Sequence, residues 1–262
     1  MGAATPEQFY DALASEYHLL FDDWWSAAQW HGRVIAGILA QQGLAGGRLL
    51  DCTCGIGTQA LPLAALGYAV TATDVSEAAV ERAGAEAAAR GIDVECGVGD
   101  VREVRDHVHG LFDAVISCDN ALPHLLTDGD LERALRSIRA CLRPGGLLLA
   151  TLRDYDALRL TRPEGVPISI HGDAGARHGS GQAWTWPEDG EYVDIELFTF
   201  AEDGPGSWRT HSLATRYRAL QREKLGSLLT AARYTAVEWL MPGESGYYQP
   251  MVLARAGQPQ SP

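Results

Sequence analysis

The stretch Leu49-Leu50-Asp51-Cys52-Thr53-Cys54-Gly55-Ile56-Gly57 decides how the chain reads. An apolar run ends in an acid, passes into a Gly-x-Gly turn and meets a helix-like segment from about Thr58. That order is strand, loop, helix. Gly55 and Gly57 permit a tight turn and let backbone N–H groups come close to a ligand. A second apolar run, Tyr68 to Thr73, ends at Asp74, whose carboxylate can accept hydrogen bonds from both hydroxyls of a ribose. Together they describe a pocket for an adenosine-containing cofactor. Gly55-Ile56-Gly57-Thr58-Gln59-Ala60 also satisfies the loose dinucleotide fingerprint, which by itself is a weak signal. Asp51, four residues before Gly55, points instead to a cationic group such as an amino-acid ammonium. No basic cluster lies near the turn to favour a pyrophosphate, although backbone N–H groups alone can bind one.

Outward from this stretch, residues 49–152 alternate strand and helix. Strands are expected at 49–51, 69–74, 94–98, 114–118 and 147–152, and helices at 59–66, 76–90 and 130–141. Ser76-Glu77 is a good helix start and Gly91 a good stop. With last strands at 237–240 and 251–254, the expected fold is α/β. It is a Rossmann-like, seven-stranded, mostly parallel sheet with helices on both faces and right-handed crossovers. Residues 7–42 are aromatic-rich and read as one or two helices forming a lid. Residues 163–182 are rich in Gly, Pro and His and show no period. Strand-like segments at 183–186, 192–200 and 208–216, separated by turns at 187–190 and 202–206, read as a small antiparallel insertion. Trp184, Trp186, Trp208 and Tyr192 are expected to form its core. Residues 217–232 read as helix, and the tail from Gly257 as disordered. The whole is expected to be one domain: lid 7–42, cofactor-binding core 47–156, insertion 163–216 over the acceptor site, and 217–256 completing the core.

The 262 residues carry a net charge of −13 and a single lysine, Lys224. That composition argues against a nucleic-acid partner, because neutralising phosphates needs clustered Lys and Arg. No basic amphipathic segment or long apolar run suggests a membrane. Met1 to Glu7 lacks a charged n-region and an apolar h-region, so a cytoplasmic location is expected. Cys52, Cys54, Cys96, Cys118 and Cys141 read as reduced thiols, and Cys52-x-Cys54 is not a zinc spacing. His171, His178 and His211 are not at metal spacing either, so no metal is expected.

The motif Leu50-Asp51-x-x-x-Gly55-x-Gly57 resembles the first motif of class I S-adenosylmethionine methyltransferases. Asp74 resembles that family's ribose-binding acid, and Gly99-Asp100-Val101 its adenine-contact motif. Phe112 to Ile116 resembles its fourth strand, and Leu142 to Leu147 the turn before its fifth. The resemblance implies S-adenosylmethionine as cofactor. A closer resemblance joins Asn120-Ala121-Leu122-Pro123-His124-Leu125 and Arg153-Asp154-Tyr155-Asp156 to the paired motifs of glycine and sarcosine N-methyltransferases. It implies that Asn120 lies in the acceptor site, that His124 approaches the cofactor, and that Arg153 binds the acceptor's carboxylate. It also implies a lid over the methionine end, here carrying Tyr17, Trp24 and Trp30. The insertion departs from that family.

The residues have their own reading. In an open α/β sheet, ligands bind beyond the carboxyl ends of the strands, which gathers Asp51–Gly57, Asp74, Asp100–Val101 and Cys118–His124 on one rim. Arg153 ends the fifth strand on that rim and can hold a carboxylate by two parallel bonds. A structural ion pair with Asp154, Asp156 or a lid acid is the alternative. His124 either contacts the cofactor or caps the following helix; a base role needs geometry. Tyr247-Tyr248-Gln249 either faces the acceptor or forms a surface loop. The expected activity is methyl transfer to the amine of a small carboxylate-bearing acceptor similar to glycine or sarcosine. O- or C-methylation of a specialised metabolite, nicotinamide-dependent oxidoreduction and non-catalytic cofactor sensing remain as alternatives. The sequence leaves the oligomeric state open.

Overall fold

The computed structural model describes residues 4–204 and 206–257. Helix α1 (Pro6–Leu13) opens with a capping box between Thr5 and Gln8, and a short 3-10 turn at Tyr17–Leu20 leads to α2 (Trp24–Gln41). The alternating core follows as β1 (Arg48–Asp51), α3 (Ala60–Ala65), β2 (Ala69–Asp74), α4 (Glu77–Arg90), β3 (Glu95–Val98), α5 (Val104–His107), β4 (Phe112–Ser117), α6 (Asp128–Cys141), β5 (Leu142–Thr151) and α7 (Tyr155–Thr161). Next come β6 (Gly165–His171), β7 (His178–Thr185), β8 (Tyr192–Gly204) and β9 (Ser207–Arg218). The chain closes with α8 (Arg222–Ala231), β10 (Tyr234–Leu240), α9 (Pro242–Ser245) and β11 (Met251–Ala256).

The main sheet has the order β10-β11-β5-β4-β1-β2-β3, and β11 runs antiparallel to both its neighbours. Neighbouring residues of β1 serve opposite layers. Leu50 joins Val115 and Leu148 under α6 and α8, while Leu49 joins Ile116 and Leu149 under α2 and α3. A parallel strand buried on both faces must be apolar at every position, and Leu49 and Leu50 are. The expected sheet and its helix limits agree with this, including Ser76 accepting from Ala79 N and Gly91 closing α4 with φ of 64°.

The second sheet has the order β6-β7-β8-β9. It shares the main core, because Trp184, Val193, Ile195 and Tyr217 pack in the same cluster as Leu148 and Leu135. Three expectations are corrected here. Residues 163–182, read as aperiodic, hold β6 and the first half of β7. Their glycines mark close strand approach: a β-carbon at Gly181 would lie 2.8 Å from Ile168, and one at Gly179 would strike the Ser169 carbonyl. Tyr217 belongs to β9, opposite Val193, and the helix starts only at Arg222. Tyr192 and Trp208 are half-buried under Arg216 and Arg177, so the sheet's buried face is Val193, Ile195 and Leu197 with Trp184. Helix α7 is an unforeseen element, started by Asp154 accepting from Ala157 N. The disorder expected from Gly257 falls, beyond Gly257 itself, outside the described residues.

Candidate active site

Strand order reverses between β1 and β4, and a cavity of about 500 Å³ opens there beyond their carboxyl ends. The loop after β1 forms one wall. Gly55 has φ of 52°, and a β-carbon there would meet no atom within 4 Å, so its backbone faces open space. Gly57 does not line the cavity. A β-carbon there would sit 2.7 Å from Leu61 Cγ, so this glycine lets α3 start close to the loop.

Three carboxylates surround that loop in different states. Asp74 lines the cavity, accepting from Gly55 N (2.8 Å) and Ser76 N (3.0 Å) while each oxygen keeps a lone pair. Burial raises its pKa against those two bonds. Asp100 also lines the cavity with Val101, but Arg102 holds its carboxylate through the backbone N–H (2.8 Å) and the guanidinium (2.5–3.0 Å). Asp51 lies fully buried behind Cys52 and Thr53. Its Oδ1 accepts from Thr53 N (3.3 Å), and its Oδ2 has no partner among the described residues. Burial, with Asp74 and Asp119 nearby, pushes its pKa up to about 8.

The end of β4 supplies the opposite wall through Cys118, Asp119 and His124. Asp119 and Asn120 both take left-handed backbone (φ 56° and 70°), held by bonds of their N–H groups to Thr151. Asn120, expected in the acceptor site, lines neither cavity. It accepts from Arg153 N (3.1 Å) and donates to Tyr155 OH (3.0 Å), tying the ends of β4 and β5 together. His124 meets Tyr10 OH at 3.1 Å and lies 4.1 Å from the Tyr217 ring centroid. Burial, helped by Arg153, lowers its pKa to about 3, so the ring is neutral at physiological pH.

The cover comes from α1 and the turn after it, through Tyr10 and Tyr17. Trp24 and Trp30, expected with Tyr17 over the cavity, do not line it. Trp24 is buried behind the wall and donates its indole N–H to Thr58 (3.0 Å), the usual fate of a core tryptophan's polar edge. Trp30 stacks on Tyr247, centroids 5.9 Å apart.

The sequence reading missed a cluster around Asp119. Tyr247 (2.6 Å) and Tyr248 (2.7 Å) donate to its Oδ1, and Gln59 (2.6 Å) to its Oδ2. Only the Tyr247-Tyr248 pair gave a signal, because its partners are distant in sequence. Tyr248 also lines a second cavity, of about 360 Å³, with Arg153, Trp184 and Gln249. Here Arg153 lies over Trp184 (4.7 Å) and Tyr217 (5.4 Å), and donates from Nη2 to Gln182 (3.1 Å). Its Nη1 is buried without a well-aligned hydrogen bond among the described residues, and the guanidinium lies beside the Tyr155 hydroxyl. Asp154 and Asp156 pair with Arg222 instead (2.6 and 3.2 Å).

Among the described residues, no cluster of His, Cys, Asp or Glu is arranged to hold a metal ion, and no helix is long and apolar enough to cross a membrane. A sequence family described as a methyltransferase domain matches residues 49–146. The chain is 27% identical over 205 residues to a glycine/sarcosine N-methyltransferase of Parasynechococcus marenigrum, covering 76% of this chain and 68% of that protein. It is 35% identical over 116 residues to a ubiquinone biosynthesis O-methyltransferase of Caulobacter vibrioides, covering 44% of each. Its fold is similar to that of a S-adenosylmethionine-dependent methyltransferase from Clostridium acetobutylicum, with a TM-score of 0.74 at 16% identity, over 95% of this chain and 98% of the other.

Proposed function

Starting from a chain that belongs to the class I S-adenosylmethionine-dependent methyltransferases, we propose that it methylates the amine nitrogen of a small acceptor carrying a carboxylate. One observation carries the choice of acceptor. Arg153 presents a buried guanidinium N–H that no carboxylate occupies and whose protein neighbour is the Tyr155 hydroxyl, and the acids beside it in sequence are taken by Arg222. A carboxylate would satisfy that N–H with a charge-assisted bond.

The chain's residues fit the cofactor. The partnerless Asp51 carboxyl, its pKa pushed up to about 8, holds a proton at pH 7 and would ionise on meeting a cation such as the amino group of the methionine end. Asp74 has lone pairs free for ribose hydroxyls, and Gly55 leaves the space a side chain would fill. Asp100 and Val101 line the same cavity and would make the adenine contacts, and Cys118 and His124 line it too.

Bound there, S-adenosylmethionine would supply an activated methyl to the lone pair of a neutral amine and leave as the thioether, the amine's surplus proton passing to water. The protein's work is to hold the acceptor in line and keep water out. Tyr10 and Tyr17 cover the first cavity, and the second sheet brings Trp184 and Tyr217 against Arg153. His124, neutral with a pKa of about 3, is a poor base, which suits an amine better than a phenol.

The test is transfer of labelled methyl from S-adenosylmethionine to two acceptor pools. One pool holds carboxylated amines such as glycine and sarcosine. The other holds phenols, alcohols and amines lacking a carboxylate. Label in the first pool, lost in Arg153→Ala, supports the proposal; label only in the second discards it in favour of O- or C-methylation or a different amine.

A further inference from the structure

We propose that Gln249 is the positioning residue for the acceptor nitrogen, its side-chain carbonyl receiving an N–H of the amine whose carboxylate Arg153 holds. This rests on the reading of Arg153 above.

Strand register brings the two residues together. β11 runs antiparallel to β5, with Met251 opposite Thr151. One step outward, Leu152 N donates to Pro250 O (3.2 Å), which continues the register. Gln249 and Arg153 come next along the two segments, just beyond the last paired residues. Both residues line the second cavity.

Their polar atoms are complementary and unspent. Gln249 is 7% exposed, and its Oε1 is buried without a partner among the described residues, while Arg153 Nη1 is buried without a well-aligned one. Unpaired buried polar atoms weaken a fold and call for an explanation at each site. Gln182 offers a contrast: its Oε1 accepts from both Arg153 Nη2 and Trp184 Nε1 (2.9 Å), so it orients the guanidinium and is used up. A ligand with a carboxylate and an N–H satisfies Arg153 and Gln249 together. Tyr248 lines this cavity while its hydroxyl bonds Asp119 in the wall of the first, so the two cavities adjoin.

A chemical consequence follows for acceptor choice. A primary or secondary amine in its neutral form has an N–H for Gln249 and a lone pair left for the methyl. A neutral tertiary amine has no N–H, so Gln249 selects against it.

Gln249→Leu tests this, with sarcosine as probe. Its cofactor Kd and Tm are expected to match wild type, because replacing an unpaired polar group by an apolar one is close to neutral. Its kcat and its calorimetric affinity for sarcosine are expected to fall by about tenfold, the worth of one hydrogen bond in a buried site. Gln249→Met, unbranched and apolar, gives the same readout if the branched side chain disturbs packing. Gln249→Glu keeps an acceptor oxygen and should recover kcat, while its carboxylate competes for Arg153 and raises sarcosine KM. Sarcosine affinity and kcat unchanged in both apolar variants would overturn the role of Gln249 and leave Arg153 standing. A wild-type chain that neither binds nor methylates any carboxylated amine overturns both.

Discussion

The two cavities are built on opposite plans. In the first, the carboxylates of the lining arrive already bonded, Asp74 to two backbone N–H groups, Asp100 to Arg102, Asp119 to two tyrosines and Gln59, and the unpaired atoms are Asp51 Oδ2 behind the wall and His124 Nδ1. In the second, Arg153 and Gln249 each keep a buried polar atom unpaired. The first is a preorganised mould whose groups have lone pairs to spare. The second is an incomplete network that a ligand completes, so its substitutions should register on the acceptor and leave the cofactor alone.

The comparison breaks most sharply at Asp74. Asp74→Ala removes both prospective ribose contacts and the support of Gly55, and should weaken cofactor binding by roughly a hundredfold, since bonds to charged groups are each worth about 1.5–3 kcal/mol. Calorimetry with S-adenosylhomocysteine measures it; a loss below tenfold would mean that Asp74 is not the ribose site. Arg153→Ala should do the reverse. Its acceptor KM should rise about thirtyfold with cofactor Kd unchanged, and an unchanged KM would remove the carboxylate argument.

Asp51 sharpens the contrast through pH. With its pKa pushed up to about 8, its carboxyl holds a proton at pH 7 until a cation arrives. Binding the cationic cofactor should therefore expel that proton. Affinity should rise with pH up to about 8, by at most about tenfold per unit, and level off above. Titration in buffers of different ionisation enthalpy counts the protons released. Asp51→Asn should remove this dependence, and a wild-type affinity already flat between pH 6 and 8 contradicts the assignment.

The smallest effect is on stability. His124 titrates near 3 when folded, well below the value of about 6.5 for a free histidine. Its contribution is present above the unfolded value and lost as pH falls from about 6.5 towards 3. Between pH 6.5 and 5 the wild type should lose a few degrees of Tm more than His124→Leu does. Parallel losses in the two proteins would show that His124 is not held neutral in the fold.

These two plans also explain what was legible. Asp51, Gly55 and Asp74 sit within a few residues of a strand end, so a local pattern of apolar run, acid and glycine locates them. Asn120 and Trp24 were placed by resemblance, and local bonds to Arg153 N and Thr58 draw them away from the cavities. The left-handed backbone of Asp119 and Asn120 has no glycine to announce it. Strand β6 hid behind Gly179 and Gly181, which read as loop residues although close strand approach requires them.

From sequence alone came the main sheet, the limits of α3, α4 and α6, and the rim on which the first cavity opens. Those follow from periodicity and turn chemistry, whose range is a few residues. Only the folded chain decided that Arg153 is free of the neighbouring aspartates, that Asp119 gathers Gln59, Tyr247 and Tyr248, and that Gln249 shares a cavity with Arg153. Each of these depends on which distant segments the sheet brings side by side. For Gln249 the deciding event is the antiparallel return of β11 along β5, a pairing that buries apolar residues on both strands and carries the polar residue at its end to the second cavity.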